Sequence, residues 1–188
     1  MARAYRMQAR AAGVEATRTA LLQAALELHR ERWADEITLE ELATRAGTTV
    51  QTLLRHFDTR EGLLAATAEW ASDKVDSERA EIEPGDAAAA AAAVCAEYEA
   101  YGDAILRLLY QEERVPFLAP FVERGRVFHR EWVKRFLPAT GARRRAQLVA
   151  ATDVYTWKLL RRDSGLSAAQ TELAIRELVQ ALQEERSV

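Results

Sequence analysis

The sequence predicts an all-α protein with a small N-terminal helical domain ahead of a larger one, and three observations lead there. Apolar residues recur at spacings of three and four through most of the chain, which places them on one face of a helix. No window shows the sustained β-branched alternation of a strand. Eight glycines and four prolines in 188 residues leave few places where a helix must stop.

The first helix is expected from about Glu15 to Arg32, with Leu21, Ala25 and Leu28 on its buried face. Arg3, Arg6, Arg10 and Arg18 precede or begin it with only Glu15 opposing them, a basic arm that either reaches an anionic partner or is a solvated tail. Thr38 opens a second helix. With Glu41 it forms a capping box, in which each side chain satisfies a free backbone N–H of the first turn. Leu39, Leu42, Ala43 and Ala46 face inward, and Gly47 supplies the left-handed stop. Thr49 then caps a third helix that carries Val50, Leu53 and Phe57 inward. Two short helices joined by a glycine turn make a helix-turn-helix. Asp58 and Glu61 read as the cap of a fourth helix, which includes Trp70 and Lys74 on its inward face and ends before Pro84 and Gly85.

Beyond residue 86 an alanine run opens a long helix. Pro116 and Pro120 bracket a bend, and Leu137–Gly141 closes the next helix. Two amphipathic helices come after it, roughly 142 to 162 and 167 to 185, the second capped by Ser167 and Gln170. Arg143, Arg144 and Arg145, and the pair Arg161 and Arg162, read as solvated faces or an anion site.

Composition restricts the function classes. The net charge of −3 and the pI near 5.7 mean that any nucleic-acid contact comes from a local patch. The single cysteine, Cys95, pairs with no second cysteine in the chain. No Cys/His cluster has zinc-site spacing, so neither a metal nor another cofactor is expected. The apolar run Ala87–Ala96 is far shorter than the ~20 residues of a membrane span, and the expected location is cytoplasmic. His29, His56 and His129 are scattered and form no HExxH or triad-like setting, which argues against an enzyme.

The stretch ITLEELATRAGTTVQTLLRHFDTREGLL, residues 37 to 64, resembles the signature of the TetR family of bacterial transcriptional regulators. It carries the threonine-capped helix, Ala-Gly at the turn, Thr-Leu in the third helix, His-Phe at its end, then a basic residue and a leucine-rich fourth helix. The resemblance implies a three-helix DNA-binding domain over 1–60. A helical ligand-binding and dimerisation domain is then expected over 61–188, with 61–83 as connecting helix. Carried over position by position, it sets Val50, Gln51, Thr52 and Arg55 at or near the major groove, where arginine pairs with guanine and glutamine with adenine, while Thr49 and Thr52 also offer hydroxyls small enough to approach a phosphate or a base edge. Thr38, His56 and Arg60 are set at phosphates. The chain departs from the family where Leu54 replaces a tyrosine and Trp33 replaces a glycine.

The resemblance further implies a homodimer on palindromic double-stranded operator DNA, acting as a repressor released by a mainly apolar small molecule. Ten of the fourteen aromatic residues lie beyond residue 86. Tyr98, Tyr101, Phe128, Trp132 and Trp157 are the candidate ligand contacts, although such residues equally fill a core. Leu148, Thr152, Tyr155 and Leu159 on one helix, with Leu178 and Leu182 on the last, form the candidate dimer face. A DNA-binding dimer without a ligand is the nearest alternative, a helical enzyme a more distant one.

Overall fold

The computed structural model describes residues 2–79 and 82–184, leaving out the side chains at 2–6, 8, 76, 78 and 79. All regular structure among the described residues is helical. The chain divides into two compact units, 1–73 and 74–188.

The N-terminal unit begins with α1, Ala2–Glu31, far longer than the helix expected from Glu15. Its buried face is short: Leu21, Leu22, Ala25 and Leu28 join Ile37, Leu42, Ala43, Leu53, Phe57 and Leu63 in one core. Burying each leucine contributes about 1.5–3 kcal/mol, so this cluster holds the unit together. Trp33, at the position of the family's glycine, lies in extended backbone (φ −70°, ψ 143°), and Ala34–Glu36 form a single 3-10 turn. That turn needs no left-handed residue, which is how a tryptophan is accommodated there.

Helix α2, Leu39–Arg45, and helix α3, Val50–Phe57, succeed α1 at close quarters. Gly47 between them has φ +66°, the conformation only glycine adopts freely. Arg45 of α2 reaches back to Glu27 and Glu31 of α1, at 3.4 and 3.0 Å. Leu54 packs against the core, as an aliphatic side chain must in place of a phenol.

Helix α4, Arg60–Arg79, starts differently from its expected form. Asp58 is the C-cap of α3, with φ +60° and ψ −46°, and not the cap of the new helix. The cap is Thr59, whose Oγ1 accepts from the Gly62 backbone N–H at 2.9 Å. Thr59 N–H bonds back to Phe57 O at 2.6 Å, so the chain turns through a three-residue γ-turn centred on Asp58. On α4, Leu63, Leu64, Thr67 and Val75 are buried and Trp70 packs partly on the core, but Lys74 is exposed. The expectation that Lys74 faces inward is therefore corrected: the buried register runs through Val75 instead.

In the C-terminal unit, α5 (Ala87–Gln111) is capped by Asp86, whose carboxylate accepts from Ala89 N–H at 2.9 Å. The 3-10 turn Pro116–Leu118 leads into α6, Ala119–Phe136. The expected helix over roughly 142 to 162 is broken into α7, Gly141–Ala151, and α8, Val154–Lys158, which widens into a π-turn over Leu159–Asp163. The physical reason is a second cap: Asp153 accepts from Tyr155 N–H at 2.9 Å and restarts the helix. Helix α9, Ala168–Glu184, begins with the expected Ser167–Gln170 capping box, its two bonds at 2.9 and 3.2 Å. The core of this unit lies between α5, α6, α7, α8 and α9 and centres on Trp157, Trp132, Val133, Leu148 and Ile175.

Candidate nucleic-acid interface

Helices α2 and α3 present opposite electrostatics at their N-termini, although both are capped by threonine. In α2, Thr38 Oγ1 accepts from Glu41 N–H at 3.1 Å, and Glu41 Oε2 accepts from Thr38 N–H at 2.9 Å and from the Thr38 hydroxyl at 3.1 Å. The Thr38 hydroxyl is thus engaged as both donor and acceptor. Glu40 and Glu41 stand in the first turn and offset the positive end of the helix dipole. The Thr38 N–H and the Arg32 guanidinium hold Glu41 below the ordinary carboxylate range, so it stays charged.

Helix α3 has no acidic residue at all. Thr49 Oγ1 accepts from Thr52 N–H at 3.2 Å and donates to Thr52 Oγ1 at 3.1 Å, which leaves the dipole of this helix unopposed. Thr49, Gln51 and Arg55 are exposed, and Val50, Thr52 and His56 are half-buried. Gln51 and Arg55 are four residues apart and so lie on one face, one turn from each other. The opposite face is anchored by Leu53 and Phe57 in the core. An amphipathic helix with a rigid apolar base, an open positive N-terminus and a glutamine–arginine face suits an anionic polymer with readable edges.

The end of α3 is locked rather than loose. The His56 and Phe57 rings lie 6.0 Å apart, and the Arg18 guanidinium of α1 sits 5.6 Å over the Phe57 ring. An ideal Cβ on Gly62 would lie 2.1 Å from Phe57 O, so α4 starts this close to α3 only because residue 62 has no side chain. Arg60, expected at a phosphate, donates to Ala34 O in the turn after α1. That bond anchors one end of a guanidinium that carries five N–H groups. The Thr59 cap and the close approach at Gly62 go beyond the sequence reading; their signal is Thr59 three residues before Gly62, outcompeted by the stronger look of Asp58 before Glu61.

In the C-terminal unit, Tyr98, Trp132 and Trp157 are buried members of the core, while Tyr101 and Phe128 are half-buried. Tyr98 donates its hydroxyl proton to Thr152 O at 3.1 Å, and its ring is 6.0 Å from that of Trp157. Trp157 lies against Gly102, where an ideal Cβ would be 2.5 Å from Trp157 Cζ3. Its indole N–H donates to Glu99 at 3.1 Å, and Arg162 stacks over its ring at 4.6 Å. Arg161 and Arg162 pair with Glu99 and Asp103 at 2.8 and 3.0 Å on a partly exposed face, so these two arginines are not a vacant anion site.

The candidate dimer face separates into two groups. Leu148 and Thr152 are fully buried within the unit, with the Thr152 hydroxyl donating to Leu148 O at 2.8 Å, so they cannot form an outer stripe. The break after Ala151 is the cause, because it ends the register of α7 and sets α8 in a new one. Tyr155 and Leu159 are exposed at 44% and 58%, and Leu178 of α9 is 44% exposed, whereas Leu182 packs partly on the core. Leu173 is a further exposed leucine on α9, outside the predicted stripe.

Residues 21–67 match the family model for bacterial regulatory proteins, tetR family. A search of the curated proteins finds no significant match. Among solved structures, a transcriptional regulator from Rhodococcus sp. RHA1 superposes with a TM-score of 0.68 at 21% identity, over 88% of this chain and 95% of that one. A TetR transcriptional regulator from the same organism gives 0.56 at 20% identity, over 92% and 98%. At such identities the likeness concerns the fold, while the family rests on the helix-turn-helix match. Residues 21–67 thus carry the DNA-binding domain of the TetR family of bacterial regulatory proteins.

Proposed function

We propose that the chain is a homodimeric repressor that reads a palindromic operator with α3 in the major groove and is released by a mainly apolar small molecule. The observation that carries the DNA reading is the contrast between the two capped helices. Glutamates occupy the start of α2, while α3 is free of acid and exposes Gln51 and Arg55 side by side. Phosphates therefore accept from the N-terminal N–H groups of α3, with the Thr49 cap, His56 and the Arg60 guanidinium beside them. Thr38, whose hydroxyl is engaged at Glu41, serves through the position of α2. Val50 and Thr52 line the groove floor, and Gln51 and Arg55 read bases.

A two-fold dimer reads half-sites about one DNA turn apart, ~34–36 Å centre to centre. Exposed Tyr155, Leu159 and Leu178 support a dimer face on α8 and α9. Half-buried Tyr101 and Phe128, beside the aromatic core, support an apolar effector in the C-terminal unit. Helix α4 is covalently continuous through residues 73 and 74 and provides the coupling element. A hundredfold release requires about 2.7 kcal/mol of coupling, and operator must then weaken effector binding by the same factor.

Selection of bound duplexes from a random library tests this reading. Recovery of a palindrome is expected, and Arg55→Ala or Gln51→Ala should change the recovered bases. No enrichment over many rounds would refute it.

A further inference from the structure

We infer that the first half of α1 is a basic helical arm that binds DNA phosphates outside the reach of the recognition helix; this rests on the DNA-binding reading above. The helix runs from Ala2 to Glu31, yet the core of its unit uses none of it before Leu21. Every described side chain from Met7 to Ala16 is exposed, including Met7 at 67% and Val14 at 48%. The described side chains of this segment gain nothing from burial, and in isolation a helical stretch of this length is marginal. Gly13 in its interior lowers its helix propensity by about 1 kcal/mol relative to alanine. Such a segment needs something to lie against.

Charge indicates what that is. Residues 2–16 contain Arg3, Arg6 and Arg10 against the single acidic residue Glu15, a local charge of +2 in a chain whose net charge is −3. The first turn of α1 carries no acid to offset the helix dipole. Arg10 is exposed, and Arg3 and Arg6, whose side chains lie outside the described residues, precede it at spacings of four and three along the same helix. The fifteen residues 2–16 rise ~22 Å beyond the packed part of α1, a length that spans several phosphates. Because phosphate contacts carry no sequence information, the arm adds affinity and salt dependence without adding base preference.

The test needs no operator. Binding of the full chain to a mixed-sequence duplex is measured across a salt series, for wild type and for Arg3→Gln/Arg6→Gln/Arg10→Gln, with circular dichroism to confirm unchanged helix content. Glutamine keeps the helix propensity of arginine, and every described side chain of the segment is exposed, so the variant should fold. Each lost phosphate contact removes about 0.9 from the slope of log affinity against log salt. The triple variant should therefore lose about 40-fold less affinity than wild type between 50 and 200 mM salt. Arg10→Gln alone should reduce the slope by about 0.9, with the bases recovered in library selection unchanged. An unchanged slope in the triple variant overturns the arm and leaves recognition by α3 intact. A wild-type chain that binds no duplex overturns both. An unchanged DNA slope together with arginine-dependent binding to phosphatidylserine vesicles would assign the arm to a membrane surface and also overturn it.

Discussion

The two units of this chain are stabilised in different places. In the N-terminal unit, α2 and α3 are seven and eight residues long, too short to persist without help from caps and neighbours. Thr38, Thr49 and Thr59 cap α2, α3 and α4 in turn, and two tight junctions, at Gly47 and at Asp58–Gly62, fix the helices around a core of leucines. In the C-terminal unit, α5 and α6 have 25 and 18 residues, and their positions are set by large aromatic side chains locked against one another. The short helices α2 and α3 thus depend on their ends in addition to the leucine core, whereas the long helices α5 and α6 depend on their faces. Substitutions at ends and at faces should therefore have opposite consequences in the two units.

The largest effect is expected at Trp157, fully buried, with Gly102 on one side and Arg162 on the other. Truncating a tryptophan in such a place costs about 3–5 kcal/mol. Trp157→Ala should therefore unfold the C-terminal unit at much lower denaturant while leaving binding of α3 to DNA at low denaturant. Cys95 supplies the local probe. Its thiol is buried, and burial first, then Glu172 and Glu99, push its pKa up to about 12, so it is protonated and inert in the folded unit. Alkylation of Cys95 should accelerate strongly in Trp157→Ala. Labelling as slow as in wild type would show that the aromatic core is not what holds this unit.

The second effect belongs to a helix end in the other unit. In Gly62→Ala the new Cβ meets Phe57 O, a backbone atom that cannot rotate away. Overpacking of this kind costs about 1–3 kcal/mol, and relief requires α4 to move away from the end of α3. Duplex binding should fall more than the thermal midpoint of the C-terminal unit, which Cys95 labelling tracks separately. Equal binding by Gly62→Ala and wild type would mean that the α3–α4 junction does not position the recognition helix.

This difference between ends and faces also explains what is legible in the sequence. The capping boxes at Thr38 and Ser167, the glycine at position 47 and the leucine stripe of α1 are local signals, each complete within a few residues, and they can be read directly. The placement of Thr49, Gln51 and Arg55 at the cap and on the open face of α3 is legible for the same reason, since one helix and its cap determine it. The break at Thr152 and Asp153 is not, because the apolar spacing continues across it while a short aspartate cap restarts the helix. Nor is the pairing of Arg161 and Arg162 with Glu99 and Asp103, residues about sixty positions away that only packing of α5 on α8 brings together. The γ-turn at Asp58 escapes the sequence because two competing caps, Asp58 and Thr59, are adjacent and tertiary packing at Gly62 decides between them.

A smaller effect separates threonines that look alike. Thr38 caps α2 with a full capping box, whereas Thr140 precedes α7 with no side-chain cap bond. Thr38→Ala should destabilise the N-terminal unit by about 1 kcal/mol, and Thr140→Ala should change the C-terminal unit by less than about 0.5 kcal/mol. Denaturant melts of the two variants compare them directly. Equal losses would remove the distinction between capped and packed helix starts.

The smallest effect concerns two carboxylates that are both held below the ordinary glutamate range for different reasons. For Glu41 the largest cause is the backbone N–H of Thr38, with Arg32 second; for Glu112 it is the hydrogen bond from Arg126, at 2.6 Å. A lowered carboxylate pKa means that the folded chain binds its proton less readily than the unfolded chain. The stabilisation is therefore complete above the ordinary glutamate value and is lost as pH falls through the lowered one. A bond from a fixed backbone N–H is nearly indifferent to salt, while an exposed ion pair is screened. Carbon-detected NMR titration of the side-chain carboxyls at low and high salt should show Glu112 moving back toward the ordinary value and Glu41 staying low. In Thr38→Pro, which removes that N–H and the hydroxyl together, the Glu41 titration should rise even though Arg32 remains. A Glu41 that moves with salt as much as Glu112 would mean that the arginine holds it, and that the cap of α2 is an ion pair rather than a property of the helix end.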